Sequence, residues 1–303
     1  MNECIAVGVE PGTYNMGQSD ENFVYEDSNY NNININYEDG SMIITKNSFD
    51  SAVMDVRNLT YNGKDQKTSL VVNMYDDKGH WTSTLKEGVD YELKNPETAL
   101  KGKNAGTYDV TIIGKGKYEG AEKTTSWIIK KADVEIDITG INATKEYNGK
   151  EQVFPGPDEK GFKAIETSAT GLYKDESQIS VASGHTIQAK GTDLGTYPLG
   201  INVAWLVFND QQNVNAHFNL VEDGSLTIKE ADISNAEATA TSFVYNGAEQ
   251  TTKITVTYNN VVLAYGVDYE IDKNAVTSAT EVGRYQAKVK GIGNYKGVKN
   301  DIY

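Results

Sequence analysis

Internal repetition is the feature of this sequence that most constrains its fold. A Tyr-Asn-Gly core occurs three times, in NLTYNGKDQ (58–66), TKEYNGKEQ (144–152) and SFVYNGAEQ (242–250). These stretches begin 86 and 98 residues apart. Repeated motifs at such distances indicate a series of similar folding units rather than one large domain.

Longer similarities sort the units into two types. Type A contains LKEGVDYELKNPE and NAGTYDVTIIGKGKYEG in one copy, and LAYGVDYEIDKNA and EVGRYQAKVKGIGNYKG in the other. Type B ends in GTYPLGINVAWLVFNDQQNVNAHFNLVEDGSLTIK, and the start of the chain, GTYNMGQSDENFVYEDSNYNNININYEDGSMIITK, repeats that ending. The sequence thus predicts four domains: B′, the C-terminal half of a type B unit (1–46); A1 (47–131); B (132–230); and A2 (231–303), a type A unit truncated at its last strand. We expect a segment of a longer tandem array, of which Met1 is not the biological start.

Each unit has the sequence pattern of short strands. TYDVTIIG (107–114) alternates polar and apolar residues, and Tyr, Val, Ile and Thr dominate the ordered-looking segments. The stretches NININY-EDG-SMIIT and HFNLV-EDG-SLTI predict hairpins around Gly40 and Gly224, with a positive φ at the turn glycine. GLYKDESQI (171–179) predicts one helical turn or a short helix. The fold class is therefore all-β, a tandem and elongated array of small β-sandwich domains, Ig-like or β-grasp-like, with linkers at 44–52, 129–135 and 228–234.

The glycine-rich stretch GKGKYEG (114–120) raises the alternative of a phosphate-binding loop. Such a loop precedes a helix, whose N-terminal N–H groups hold the phosphate. The stretch that follows, AEKTTSWIIKK, has strand character instead, and the second copy, GIGNYKG, replaces Lys115 with Ile292. We interpret both copies as turns, with Tyr118 and Tyr295 packed back over the sheet. The glycines of these two loops are expected to have positive φ. The predicted turn glycines of the whole chain are Gly40, Gly63, Gly149, Gly224, Gly247, Gly114, Gly120, Gly291 and Gly297.

Composition excludes several classes of function. The net charge of −15 and the pI near 4.7 disfavour nucleic acid and anionic lipid as partners. Cys4 is the one cysteine, so neither an intrachain disulfide nor a cysteine-based zinc site is expected. No run of 18 apolar residues occurs, which predicts no membrane insertion in this segment, and the start lacks the pattern of a secretion signal.

No catalytic or metal-binding constellation is predicted. His80, His185 and His217 are far apart in sequence and have no metal-ligand spacing, and the Asp76–Asp77 pair is expected to be a solvated turn. The EDG and DDKG stretches lack the alternating acidic residues of a calcium loop. We therefore predict no enzyme activity, no catalytic residue, no metal and no cofactor. A Lys–Asn amide cross-link through Lys130 or Lys131 has no specific support in the sequence.

One residue is a candidate for binding. MYDDKGHWTST (74–84) is a polar insertion in A1 that A2 lacks, and it carries Trp81. An exposed tryptophan can anchor a sugar or a protein, but it can equally fold back to cover its own domain. The predicted partners are a host glycan or host protein, besides neighbouring repeats of the same chain.

These units resemble known repeats of bacterial surface proteins. Type A, with TYNGKDQ, LKEGVDYEL and NAGTYDVTIIGKGKYEG, resembles tandem repeats of large surface proteins. Type B, with KEYNGKEQ, LYKDESQIS, AKGTDLGTYPLGI and FNLVEDGSLTI, resembles the YDG and MBG repeat families of bacterial adhesins. The resemblance implies an extracellular location at the cell surface or cell wall and supplies no catalytic residues. It favours a non-catalytic stalk or spacer; the alternatives are a glycan- or host-protein-binding module and an accessory region of a secreted carbohydrate-active enzyme.

Overall fold

The computed structural model describes residues 5–19, 23 and 34–303. The described residues form β-strands, turns and short 3₁₀ turns, and contain no α-helix, which confirms the all-β class. They include no helix that is long and apolar enough to cross a membrane. The chain divides into two compact units, Met1–Lys131 and Ala132–Tyr303. The finer division into four domains stays a prediction, and we keep the names B′, A1, B and A2 for the four ranges.

Unit 1 contains eleven described strands. They are β1 (Gly12–Asn15), β2 (Ser41–Ile44), β3 (Ala52–Val56), β4 (Leu59–Thr60), β5 (Gln66–Lys67), β6 (Leu70–Tyr75), β7 (Trp81–Thr84), β8 (Tyr91–Leu93), β9 (Lys101–Gly102), β10 (Gly106–Gly114) and β11 (Glu122–Lys130), with a 3₁₀ turn at Gly116–Tyr118. The sheets are β1-β2, β3-β6-β7, β5-β9 and the four-stranded β4-β11-β10-β8. All pairs are antiparallel except β4 with β11, which run parallel.

Two sheets of A1 share one core. Val72 of the β3-β6-β7 sheet and Ile112 and Trp127 of the four-stranded sheet are fully buried in the same cluster. The alternation predicted for 107–114 is real, because every second residue at the end of β10 is buried. Trp127 is the largest of these buried side chains, and its ring stacks on Tyr108 with 4.7 Å between centroids.

Unit 2 contains twenty strands. They are β12 (Ala132–Gly140), β13 (Asn142–Glu146), β14 (Gln152–Phe154), β15 (Phe162–Glu166), β16 (Ile179–Val181), β17 (Ala189–Gly191), β18 (Gly195–Pro198), β19 (Leu206–Phe208), β20 (Val214–Glu222), β21 (Ser225–Lys229), β22 (Ala231–Asp232), β23 (Glu237–Ala240), β24 (Gln250–Thr251), β25 (Ile254–Tyr258), β26 (Val261–Val262), β27 (Tyr269–Ile271), β28 (Ser278–Ala279), β29 (Ala287–Gly291), β30 (Tyr295–Lys296) and β31 (Val298–Ile302). Its 3₁₀ turns are Glu176–Gln178, Val203–Trp205 and Ile233–Asn235.

The sheets of unit 2 are small. Range B contains β15-β12-β20, β13-β21-β18, β14-β17 and β16-β19, and range A2 contains β23-β25-β26, β27-β29-β31, β24-β28 and β22-β30. The turn predicted within 171–179 is confirmed as the 3₁₀ turn Glu176–Gln178. Asp175 caps this turn, because its side chain accepts a hydrogen bond from the Ser177 N–H.

The repeated sequences fold with the same strand register. In the two A ranges, Tyr91 lies opposite Gly114 and Tyr269 lies opposite Gly291. In the two B ranges, the strand that begins at Gly12 pairs with β2, and the strand that begins at Gly195 pairs with β21 in matching positions. Repeats with similar sequences therefore also have the same pairing of backbone strands.

The hairpin predicted around Gly224 is wrong. β20 and β21 lie in different sheets, so the EDG turn connects two sheets instead of two paired strands. β20 pairs in parallel with β12, and β21 pairs with β13 and β18, so each strand already has other partners. The Asp223 carboxylate accepts hydrogen bonds from the N–H groups of Gly200 and Ile201 and holds the turn against the end of β18. Asp39 does the same in B′ with the N–H groups of Gly17 and Gln18.

The hairpin predicted around Gly40 is also not observed. Residues 34–40 contain no strand, and β2 pairs with β1 instead. The first two residues of the predicted hairpin, 32–33, lie outside the described residues. B′ and B thus use the EDG turn in the same way.

Four of the nine predicted turn glycines lack a positive φ. Gly63, Gly149, Gly247, Gly120 and Gly297 have it, whereas Gly40, Gly114, Gly224 and Gly291 do not. Close packing against backbone atoms requires glycine at Gly114, Gly224 and Gly291 instead, whereas a Cβ atom on Gly40 would meet only the Met16 side chain. A Cβ atom on Gly224 would lie 2.4 Å from the Ile141 carbonyl oxygen, and one on Gly114 would lie 2.0 Å from the Tyr118 carbonyl oxygen. Any larger residue would therefore force the backbone apart.

Two of the predicted linkers consist mostly of ordered strand. Between β11 and β12 only Lys131 is outside a strand, and between β21 and β22 only Glu230 is. Within 44–52, Ile44 ends β2 and Ala52 begins β3. The Lys-x-Ala-Asp pattern of the last two predicted linkers thus marks the point where one strand passes directly into the next.

Candidate functional site

Trp81 is the first residue of β7, at the far end of the β6–β7 hairpin. Its side chain is 60% exposed. It lies opposite Tyr75 of β6, directly after a register shift between Met74 and Tyr75. The sequence left open whether Trp81 is exposed or folds back over its own domain, and in the structure it is exposed. Its role in binding stays a prediction.

The turn that presents Trp81 is held by Asp76. Its Oδ1 accepts hydrogen bonds from the N–H groups of His80 (2.7 Å) and Lys78 (3.0 Å), and its Oδ2 lies 3.1 Å from His80 Nδ1. The bond from the His80 N–H is the main reason that the pKa of Asp76 lies below its ordinary value. The Asp76–Asp77 pair thus contributes one turn-forming carboxylate, and His80 lies beside it.

The neighbours of Trp81 on this face are mixed apolar and polar. On β3 and β6, Val53 and Val71 are exposed, and Val53 lies opposite Asn73. Thr84 Oγ1 donates a 2.6 Å hydrogen bond to Asn73 Oδ1. We call the outer surface of Val53, Val71, Asn73, Tyr75, Trp81 and Thr84 the Trp81 face. It contains the exposed Trp81 indole, and its Thr84 hydroxyl and Asn73 amide are bonded to each other.

The second type A range provides a natural comparison. There β25 and β26 are joined by Asn259 and Asn260, both with positive φ, as in a tight two-residue hairpin. The pair Thr257–Val262 of A2 corresponds to the pair Asn73–Thr84 of A1. Next to the pair, the N–H of a leucine donates to the carbonyl of a valine in both copies, Leu85 to Val72 in A1 and Leu263 to Val256 in A2. The extension that carries Trp81 therefore belongs to A1 alone among the two copies.

The Tyr-Asn-Gly motif has an internal structural role. In each copy the asparagine Oδ1 accepts a hydrogen bond from the N–H two residues later, and the glutamine that ends the motif donates to the carbonyl that precedes the tyrosine. The glutamine bonds are 3.1, 2.9 and 2.9 Å long for Gln66, Gln152 and Gln250. These bonds show that the asparagine and the glutamine of all three motifs stabilise turns.

The remaining candidates are not brought together. His185 stacks on Trp205 with ring centroids 4.6 Å apart, and His217 lies on β20. In the described ranges no three His, Cys, Asp or Glu side chains are placed to hold a metal ion. Cys4 lies outside the described residues, and Lys130 and Lys131 are exposed, unlike the buried lysine that an amide cross-link requires.

Sequence reasoning missed two features of the surface. The His185–Trp205 stack joins residues twenty positions apart, and no spacing rule signals it. A cleft in A2, of about 520 Å³, is lined by residues of three separated segments, 240–252, 276–287 and 302–303.

Comparisons with protein-family models, with curated proteins and with solved structures gave no match to this chain.

Proposed function

We propose that this chain is a non-catalytic stalk or spacer segment of an extracellular bacterial surface protein, built from β-sandwich domains of an Ig-like kind. The repetition of structural bonds carries this proposal. A tyrosine hydroxyl donates to the carbonyl four residues earlier in all four ranges, at Tyr14, Tyr108, Tyr197 and Tyr285. This tyrosine corner is a hallmark of Greek-key β-sandwiches. The repeated motifs of this chain form turns and tyrosine corners, as we expect of a chain selected for a repeated scaffold.

Direct strand-to-strand junctions support a mechanical role. Within unit 2 the β21 strand passes into β22 through Glu230 alone, and the Ala231 N–H donates to the Asn294 carbonyl. Tyr147 of range B packs edge-on against Tyr295 of range A2, with centroids 5.6 Å apart. Within unit 2 these contacts join the end of B to A2, which supports a spacer of successive connected domains.

Small-angle X-ray scattering of the whole chain tests the spacer proposal. We expect an elongated particle, whose radius of gyration exceeds the roughly 19 Å of a compact globule of this length. A radius of gyration near that compact value would overturn the proposal. Charge repulsion is controlled by repeating the measurement at about 0.5 M salt, where the Debye length is only a few ångströms.

A second candidate function is binding of a host glycan or host protein through the Trp81 face. The observation that favours it is the exposed indole on an extension that the other type A range lacks. Exposed tryptophans are frequent anchors of interfaces, because they bury a large area at small conformational cost. Its test, with a matched control, is given in the Discussion.

A further inference from the structure

The loop GKGKYEG of A1 and its copy GIGNYKG of A2 each hold the segment by which the chain enters that range. The Asn47 N–H donates a 3.2 Å hydrogen bond to the Lys117 carbonyl, and the Ala231 N–H donates a 3.1 Å bond to the Asn294 carbonyl. The two acceptors have the same position in their loops, directly before the tyrosine. Both loops therefore contact the start of an A range, next to the residues that come from the preceding B range.

In unit 2 the entering strand also pairs with this loop. β22 runs parallel to β30, with Ala231 opposite Tyr295 and Asp232 opposite Lys296. Tyr295 is buried and belongs to the A2 core cluster. Glu230 alone separates β22 from β21, the last strand of B. The last strand of B thus ends one residue before a strand pair that is part of the A2 core.

Tyr147, the tyrosine of the Tyr-Asn-Gly motif of B, lies at the end of that last strand. Its N–H donates a 2.8 Å hydrogen bond to the carbonyl of Lys229, the residue with which β21 ends. Its ring packs against the A2 core cluster and meets the Tyr295 ring edge-on, with the ring planes at 89°. Edge-to-face pairs of this kind attract each other beyond the gain from burial. Tyr147 is therefore a residue of B by sequence, but its ring packs on the core of A2.

A second tyrosine joins the two ranges from the A2 side. The ring of Tyr258, the last residue of β25, meets Tyr295 edge-on with centroids 6.1 Å apart. The Tyr258 hydroxyl donates a 3.4 Å hydrogen bond to Oε2 of Glu146 in range B. Burial raises the pKa of Tyr258, and the charge of Glu146 raises it further, so the hydroxyl keeps the proton that it donates.

We propose that the GIGNYKG loop and β25 of A2 form a docking surface whose partner is the end of range B, and that A2 depends on this contact for its stability. The Tyr147 ring is the anchor, held at the end of β21 by its own backbone bond. Loss of the anchor therefore destabilises A2, although the changed residue belongs to B. The proposal goes beyond the spacer function and does not depend on it, because it concerns only contacts within unit 2.

Native-state hydrogen exchange of the whole chain tests this dependence. In Tyr147→Ala, the protection of the slowest amides of β25 and β29 is expected to fall at least about tenfold, because the docked ring is removed. Tyr147→Phe keeps the ring and should leave this protection unchanged. Tyr61→Ala is the matched control, since Tyr61 has the same motif position but packs against the A1 core, and it should also leave A2 unchanged. Unchanged protection of A2 in Tyr147→Ala, or equal losses in the Ala and Phe variants, overturns the proposal.

A double-mutant cycle separates direct docking from an effect that passes through the stability of B. Tyr295→Leu removes the second ring of the pair and keeps an apolar side chain. In that background the loss of protection caused by Tyr147→Ala should be roughly two- to tenfold smaller than in the natural chain, since the edge-to-face pair is already absent. An undiminished loss would show that Tyr147 acts on A2 only through B, and would overturn the proposal. Neither result depends on the radius of gyration, which tests the spacer function separately.

Discussion

The hydroxyl of Tyr197 donates a 2.9 Å hydrogen bond to the backbone carbonyl of Asp193. The ring crosses directly over Gly191, where a Cβ atom would lie 2.2 Å from Tyr197 Cε2. Tyr14 over Gly8 and Tyr108 over Gly102 repeat this arrangement. A glycine six residues before the tyrosine is thus part of the corner in these three copies, because a side chain there would displace the ring.

Removal of the Tyr197 hydroxyl tests the corner. We expect Tyr197→Phe to lower the local free energy of unfolding of β18 and β21 by about 1 kcal/mol, the ordinary net value of one hydrogen bond. Native-state hydrogen exchange of those strands measures it. Tyr265→Phe is the control, because this tyrosine is exposed and its ring contact with Tyr269 is retained. Equal exchange in both variants would contradict a stabilising role of the corner.

The closing glutamine of the Tyr-Asn-Gly motif allows an internal comparison. Gln152 is buried, whereas Gln250 makes the same 2.9 Å bond at an exposed site. We expect Gln152→Ala to cost roughly 1–2 kcal/mol, because the Glu146 carbonyl loses its partner, and Gln250→Ala to cost less than about 0.5 kcal/mol. Urea denaturation monitored by NMR of each range measures both. A larger loss of unfolding free energy for Gln250→Ala than for Gln152→Ala would show that burial does not determine the cost of removing the glutamine.

The hydrogen bonds of the Glu166 carboxylate predict that the stability of its loop falls in acid. Burial raises its pKa, but hydrogen bonds from the Thr170 and Ser168 side chains and from the Tyr173 and Thr170 N–H groups outweigh burial and lower the pKa from 4.5 to about 2. The lowered pKa means that the ionised form stabilises the fold. This stability is present above pH 4.5 and is lost as the pH falls towards 2.

Glu166→Gln is the variant that tests this loop. It should be less stable than the natural chain at pH 7 and should lose less stability between pH 4.5 and 2. Hydrogen exchange of residues 166–174 across that pH range is the measurement. Glu151→Gln, at an exposed position, is the matched control. Parallel pH profiles of the Glu166 variant and the natural chain would refute the prediction.

The Trp81 face gives the functional prediction. On an array of host glycans, and in a pull-down with host surface proteins, any ligand of the natural chain should bind Trp81→Ala at least about tenfold more weakly, since the anchoring ring is lost. Tyr265→Ala removes an exposed aromatic side chain from A2 and should leave binding unchanged. Equal binding by natural chain and Trp81→Ala would remove the Trp81 face as the site and leave the spacer function alone.

Repetition made part of this fold predictable. The all-β class, the turn interpretation of GKGKYEG and the packing of Tyr118 and Tyr295 against their sheets followed from strand patterns and turn residues, which are local properties. The exposure of Trp81 was not decided by the sequence, which allowed its ring to fold back over the domain, and only the structure shows that it is exposed.

The pairing of strands was decided by tertiary structure. The EDG turns have the composition of hairpin turns, but β20 pairs with β12 and β21 pairs with β13 and β18, so the two strands lie in different sheets. Likewise, glycine at Gly114 and Gly224 suggests a turn, but glycine is needed there because a Cβ atom would clash with the carbonyl oxygen of Tyr118 or Ile141. Composition and periodicity determine which segments become strands and turns. Contacts between residues far apart determine which strands pair, because pairing energy depends on neighbours that local sequence does not specify.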